Sequence, residues 1–435
     1  MQRLDYVRNQ TELVDRPFHS WYQFVLGYPP HFVRYCISKF GVTSHNLVLD
    51  PFCGTGTTNV ECKRLGINSL GLEANPMAHF AARTKTNWDV PVEILERAAK
   101  DTASTALLSF RKFGISEENP LFQVPKGSES SISPLEREPS LTPDQVKVLP
   151  KDFISKKPLR KVLVLKEIIM STPQNDVKNA LLLALARVIV NDASNLAFGP
   201  EIHAAKKRED ASVISSFLVT TSSFAADLRC KPSIYGSTQI LPGDARCMGQ
   251  YFDNKIDCVI TSPPYPNEKD YTRITRLESV LLGFIQNRNE LRAIKANLLR
   301  SNSRNIFVTD TDDQFVRDMP SINRLAEKIE SKRLSLGKTS GFEKLYHKIV
   351  RHYFGGMYRH FETLKNLLAP NARLAYVVGD QMSFFRINIA TAKLLGEIAE
   401  QLNYKVEGIE LWRNRLATAT RKTLNENILL LRNEG

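Results

Sequence analysis

Two short stretches of this chain carry residue types that can do chemistry. Thr261-Ser262-Pro263-Pro264-Tyr265 follows the apolar run Ile256–Ile260. Two adjacent prolines fix φ twice and remove two N–H donors. The turn they make therefore offers carbonyl oxygens, the Ser262 hydroxyl and the Tyr265 phenol. Such a turn suits an exocyclic amino group. The carbonyl of Pro263 and the side chain of Ser262 can accept its hydrogens, which draws the nitrogen toward sp³ and frees its lone pair for attack. Tyr265 can stack on the flat ring that carries the amine. The second stretch is Asp50-Pro-Phe-Cys-Gly-Thr-Gly-Thr-Thr58. Gly54 and Gly56 allow a tight turn and a close backbone approach to a ligand. The helix expected from Thr57 to Leu65 would present its N-terminus to a negatively charged group. The spacing fits neither GxGxxG nor GxxxxGK[ST]. Glu73 lies 23 residues beyond Asp50, where an acid can accept hydrogen bonds from both ribose hydroxyls. Alone, a GxG turn can be a plain βα connection and a PPY triplet a stiff surface loop. Their conjunction, each after a predicted strand, points to a site.

These residues need a scaffold that brings them together. Leu47–Asp50, the glycine turn, the helix and a second strand over Ser69–Glu73 read as β–turn–α–β, the opening of a doubly wound α/β sheet. Further strand-like runs are Ile256–Ile260, Arg373–Gly379, Tyr404–Trp412 and Asn427–Leu431. The predicted fold class is α/β, a Rossmann-like doubly wound sheet interrupted twice. Residues 1–90 form the cofactor half. Residues 91–235 form a large, mostly helical insertion, with a flexible Pro- and Ser-rich loop over 114–150 that holds six prolines. Residues 236–284 carry the catalytic part, 285–350 a smaller basic insertion, and 351–435 the closing strands and helices.

The 435 residues include 59 Lys+Arg against 46 Asp+Glu, a formal charge of +13, with 42% hydrophobic residues. That hydrophobic share excludes disorder throughout, and the charge suggests a polyanionic partner. The charge is uneven. Residues 271–360 hold 17 Lys+Arg against 9 Asp+Glu, a net +8, whereas residues 101–230 come to only about +2. The longest apolar run, Asn179–Val190, contains Arg187 and is too short to span a bilayer, so it is expected to be a buried core helix. The first residues have no apolar stretch of the signal-peptide kind, and the six cysteines form no CxxC pair. A reduced, cytoplasmic protein without structural zinc or membrane contact is expected.

The pair DPFCGTGTT and TSPPY resembles the S-adenosylmethionine-dependent amino-methyltransferases of DNA, which methylate N6 of adenine or N4 of cytosine. The resemblance covers residues 15–90, 236–282 and 355–433. It implies that Asp50, Phe52, Gly54, Gly56 and Thr57 hold the methionine part of S-adenosyl-L-methionine, that Glu73 binds its ribose, and that Asp244 recognises the adenine amino group. It implies that Ser262, Pro263, Pro264 and Tyr265 are catalytic, and that Trp21–Val33 forms a helix against the cofactor. In such enzymes the methyl group passes directly from sulfonium to amine, so positioning dominates. A buried target amine requires base flipping. No cysteine occupies the TSPPY loop, which argues against C5-cytosine chemistry. Ser before PPY leans toward N4 of cytosine in duplex DNA, within a prokaryotic, nucleoid-associated restriction–modification system with a partner endonuclease. DNA N6-adenine methylation and RNA base methylation remain alternatives. Arg273, Arg276, Arg292, Lys295, Arg300, Arg304, Lys332 and Arg333 are candidate phosphate contacts.

Overall fold

A computed structural model describes residues 13–22, 27–117, 133–198, 202–205, 207–253, 255–267, 269–416 and 423–434. Seven strands form its main sheet. In chain order they are β1 (Leu47–Asp50), β2 (Asn68–Glu73), β3 (Thr238–Pro242), β4 (Ile256–Thr261), β5 (Leu368–Gly379), β6 (Tyr404–Leu416) and β7 (Thr423–Asn433). Their order across the sheet is 3-2-1-4-5-7-6. β1 to β5 pair in parallel. β7 is antiparallel to both of its neighbours. It is therefore the one reversed strand of this sheet, and β6 runs with the rest.

β1 and β4 are short runs of branched residues buried on both faces: Val48, Leu49, Val259 and Ile260 are fully enclosed, as parallel strands covered by helices require. β3 is different. Its sequence, TQILP, buries only Ile240, and no apolar run announces it. Its pairing with β2 defines it. The chain order reverses between β1 and β4, which opens a crevice beyond the carboxyl ends of those strands.

Helices cover both faces. Pro30–Phe40 (α1) buries Phe32, Val33, Cys36 and Ile37 on one face, together with Val48, Ile260, Val377 and Trp412. Pro at its first turn and a left-handed Gly41 at its end set its limits. Thr57–Arg64 (α2) links β1 to β2, and Pro76–Thr86 (α3) follows β2. Tyr346–Lys365 and Thr391–Gln401 cover the opposite face.

The chain leaves the sheet between α3 and β3. Helices Val92–Lys112, Lys156–Met170, Asn175–Val188 and Val213–Arg229 pack around their own core. The run expected as a core helix lies largely within Asn175–Val188, where Leu181, Leu183, Ala184 and Leu185 are buried. Of the loop expected over 114–150, residues 118–132 lie outside the described residues. At its far end Pro143–Val148 is a helix, contrary to expectation, because Thr142 and Gln145 close a reciprocal capping box and Pro143 occupies the first turn.

The second departure lies between β4 and β5. It includes helices Arg288–Ala296 and Pro320–Ser335 and the turn Asp312–Val316. That turn lies on Gly355 and Gly356: a Cβ built at Gly355 would stand 1.8 Å from the Asp312 carbonyl oxygen. Asp312 accepts from Arg246 at 2.6 Å and from Arg359 at 2.7 Å. No helix among the described residues is long and apolar enough to cross a membrane.

Candidate active site

A cavity of about 250 Å³ opens beyond the carboxyl ends of β1, β2 and β4. Nine of the residues expected at the site line it: Phe52, Gly54, Thr57, Glu73, Asp244 and the four residues Ser262–Tyr265. The sheet joins stretches that are some 200 residues apart in the chain, because β1 pairs directly with β4.

The glycine turn after β1 is held by carboxylates. The Glu73 carboxylate accepts from the Gly54 N–H at 2.8 Å and from the Asn75 N–H at 2.7 Å. Burial pushes its pKa up to about 7. Asn75 caps α3 by accepting from the Met77 and Ala78 N–H groups. Gly54 and Gly56 both take positive φ. At Gly56 a Cβ would stand 3.1 Å from the Ala82 side chain, so this glycine lets α2 approach α3.

Asp50 and Gly56 are not among the residues lining the cavity. Asp50 is fully enclosed and accepts from the Thr261 hydroxyl at 2.6 Å, the Tyr28 hydroxyl at 2.6 Å and the Phe52 N–H at 3.1 Å. Burial raises its pKa to about 6. It ties the end of β1 to Thr261, the residue before the Ser262–Tyr265 turn. It therefore shapes the site from behind, where contact with the methionine part of a cofactor was expected. Asp244 is in the lining, with both carboxylate oxygens engaged by Arg246.

Trp21 sits elsewhere. The helix expected over Trp21–Val33 begins at Pro30, and residues 23–26 lie outside the described residues. The Trp21 ring stacks on Phe224 at 4.1 Å and its Nε1 donates to Asp227 at 2.8 Å. A buried indole needs apolar cover and an acceptor, and the helical insertion supplies both. Tyr28, seven residues on, is the aromatic that reaches the cavity.

In the Ser262–Tyr265 turn, Ser262 Oγ stands 3.0 Å from the Val377 carbonyl and 3.4 Å from the Tyr265 hydroxyl, either of which can take its hydrogen. With that hydrogen directed to the carbonyl, its lone pairs are left to accept. The Tyr265 N–H donates to the Tyr271 hydroxyl at 3.2 Å, and the Tyr265 hydroxyl donates to Glu426 at 2.9 Å. Glu426 also receives Arg413 Nε. Trp412, Arg413, Arg415 and Glu426, from the hairpin of β6 and β7, complete this side of the cavity. Sequence reasoning missed them. The one available signal was polar residues in strands just before the apolar run of β7.

The expected phosphate contacts divide. Arg276 is buried and donates to the Thr272 carbonyl at 3.2 Å and the Thr272 hydroxyl at 2.6 Å. Arg300 is buried against Asp310 at 2.7 Å and the Ala296 carbonyl at 3.1 Å. Arg333 pairs with Glu330 at 2.6 Å and Lys295 with Asp270 at 2.7 Å. Arg273 lies over the Phe153 ring and Arg292 over Phe307. Arg304 and Lys332 are exposed. Long cations near carboxylates fold back onto them, so charge count alone overstated the free basic surface.

A doubly wound sheet with an acid-held glycine turn and a proline-stiffened turn in one cavity is the architecture of a methyltransferase. The DNA methylase family model for N6 and N4 enzymes matches residues 11–83. The Type II methyltransferase M.BsoBI of Geobacillus stearothermophilus is 26% identical over 424 residues, covering 90% of this chain and 79% of that one. The Type II methyltransferase M.AvaI of Nostoc sp. is 22% identical over 458 residues, covering 96% and 86%. Among solved structures, TrmN from Thermus thermophilus aligns with a TM-score of 0.32 and 8% identity, over 97% of this chain and 53% of that one. The fold assignment rests on the strand order instead. The chain is thus similar to the DNA amino-methyltransferases, enzymes whose methyl donor is S-adenosyl-L-methionine.

Proposed function

We propose that the protein transfers a methyl group from S-adenosyl-L-methionine to the exocyclic N4 amine of cytosine at a specific sequence in duplex DNA. The observation that carries this reading is the state of Ser262. Its hydroxyl lies 3.0 Å from the Val377 carbonyl and 3.4 Å from the Tyr265 hydroxyl, and donating to the nearer one keeps its lone pairs free as acceptors for an amine hydrogen in the cavity it lines. The residues after it, Pro263 and Pro264, have no N–H to compete. Tyr265 offers a ring on which a flipped base stacks. Glu73 and the N-terminal end of α2 are placed to hold the cofactor's ribose and its anionic group.

The proposed setting is restriction–modification, which the two relatives named as Type II methyltransferases support. A second reading is N6-methylation of adenine, because the family model spans both chemistries. Expression in a methylation-free host, digestion of its DNA to nucleosides and mass spectrometry distinguish the two. N4-methylcytosine is expected. N6-methyladenine as sole product replaces the first reading with the second. 5-Methylcytosine overturns the mechanism, since that product requires a thiolate adduct and the turn has no cysteine.

A further inference from the structure

The cavity is electrically two-ended. Glu73 and Asp244 lie at the β2–β3 end, and Arg413 and Arg415 lie on β6 beside Tyr265. The two arginines differ. Arg413 is ion-paired with Glu426, so its charge is spent within the protein. Arg415 makes no ion pair with a described carboxylate. Its Nη2 donates to the Asp380 carbonyl at 2.8 Å, and its Nε is buried without a partner. The guanidinium carbon stands 6.0 Å from the centroid of the Tyr265 ring.

The backbone is cut to fit this group. β5 ends at Gly379, and a Cβ built there would stand 3.1 Å from the Tyr265 ring, 3.2 Å from Arg415 Nη2 and 3.4 Å from Nε. A larger residue would press on the ring and the guanidinium together. A cation in a cavity that has no ion pair with a described carboxylate, and is held at one nitrogen by a neutral carbonyl, is costly to desolvate unless an anion joins it.

The geometry points to Arg415 as the binding site for a backbone phosphate adjoining the flipped target nucleotide. This rests on the proposed action on a DNA base. A base swung out of the duplex brings its flanking phosphates to the mouth of the pocket. A planar guanidinium matches phosphate oxygens with two parallel donors. The cofactor's sulfonium would be repelled at this end and favoured at the acidic one. Phosphate contacts fix register rather than read sequence, so Arg415 would hold the nucleotide in place while Tyr265 stacks on its base.

The test uses the full-length protein, wild type, Arg415→Met and Arg415→Lys. The methylated sequence is found by sequencing DNA from cells expressing the wild type. Duplexes carrying that sequence are then made with one neutral methylphosphonate at each position flanking the target base in turn. Arg415→Met is expected to raise the KM for DNA at least tenfold and to lower the slope of log K against log salt by about 0.9. Cofactor affinity stays within twofold, and Arg415→Lys recovers part of the loss. At one position the methylphosphonate that weakens the wild type leaves Arg415→Met unchanged. The assignment is overturned if the effects of variant and methylphosphonate simply add at every position, or if the loss lies in cofactor affinity. A wild type that leaves no methylated base defeats the proposed function itself, and with it this role for Arg415.

Discussion

Tyr265 donates its hydroxyl hydrogen to Glu426 at 2.9 Å across 161 positions of sequence. One partner lies in the turn after β4 and the other on the reversed strand β7. The bond fixes the plane of the ring that borders the cavity, and Arg413 on Glu426 fixes the acceptor in turn.

Replacing Tyr265 by Ala should lower methylation roughly five- to 150-fold and leave cofactor affinity nearly intact. Stacking of a base on an aromatic ring is worth about 1–3 kcal/mol, and this ring is the only part of the turn that offers it. Tyr265→Phe keeps the ring and loses the bond to Glu426, so it should retain a measurable rate. Single-turnover methylation with labelled cofactor, beside a calorimetric cofactor titration, separates the two. Wild-type turnover in Tyr265→Ala would remove stacking from the mechanism.

Glu73 joins the proposed cofactor site to pH. Its folded pKa of about 7 lies above the ordinary 4.5. Between those values the folded chain binds more protons than the unfolded one, so this group's contribution to stability falls as pH rises through that window. Glu73→Gln removes that fall, and the variant should gain stability relative to the wild type from pH 4.5 to 7. It should also bind S-adenosyl-L-methionine about ten- to a hundredfold more weakly, from the loss of a charged acceptor worth about 1.5–3 kcal/mol. Wild-type affinity should itself drop below about pH 7, as protonation removes that acceptor. Denaturant titrations and calorimetry across pH check both. Unchanged affinity in the variant would place Glu73 outside the cofactor site.

The basic insertion should show two kinds of arginine. Replacing Arg304 and Lys332, which are exposed, should lower the salt dependence of DNA binding by about 0.9 per lost phosphate contact and leave stability unchanged. Arg300→Ala instead strands Asp310 and should cost about 3–5 kcal/mol of stability, the usual penalty for breaking a buried ion pair. Filter binding at several salt concentrations and urea melts distinguish them. An unchanged slope in the first variant would move DNA contact away from that face.

Gly355→Ala tests how the second insertion is docked. The added carbon would meet the Asp312 carbonyl at 1.8 Å, so the turn must move. Overpacking of this kind costs about 1–3 kcal/mol, occasionally more, and here the obstructing atom is backbone. The urea midpoint should fall, and cofactor affinity should fall with it, because Asp312 holds the Arg246 side chain that engages Asp244. A variant as stable as the wild type would show the turn free to shift.

Much of the site was legible because its two motifs are local. DPFCGTGTT and TSPPY each lie on one turn after one strand, and local turns write their requirements in glycine and proline. The first three strands of the α/β unit that the apolar runs marked, at Leu47, Ser69 and Ile256, are all present. Less legible were features set by pairing. β3 sits at the sheet edge with one buried side chain, so it leaves little periodicity to detect. Asp50 matched the family motif, yet it does not itself line the cavity: its carboxylate is taken up by Thr261 on β4 and by Tyr28 and Phe52, which do line it. Arg276 and Arg300 appear in sequence as surface charge. Their burial depends on Thr272 and Asp310 meeting them in space.

The reversed strand has a consequence for synthesis. β7 follows β6 in the chain but lies between β5 and β6 in the sheet. β6 therefore has no seat beside β5 when it leaves the ribosome and must wait for β7 to be inserted. A nascent chain halted before Thr423 would carry Glu73 and Asp244 but not Glu426, and Arg415 would have no strand to hold it. Such a fragment would have the acids proposed to face the cofactor without the wall proposed to receive a base. Prematurely terminated copies would thus leave the host's DNA unmodified.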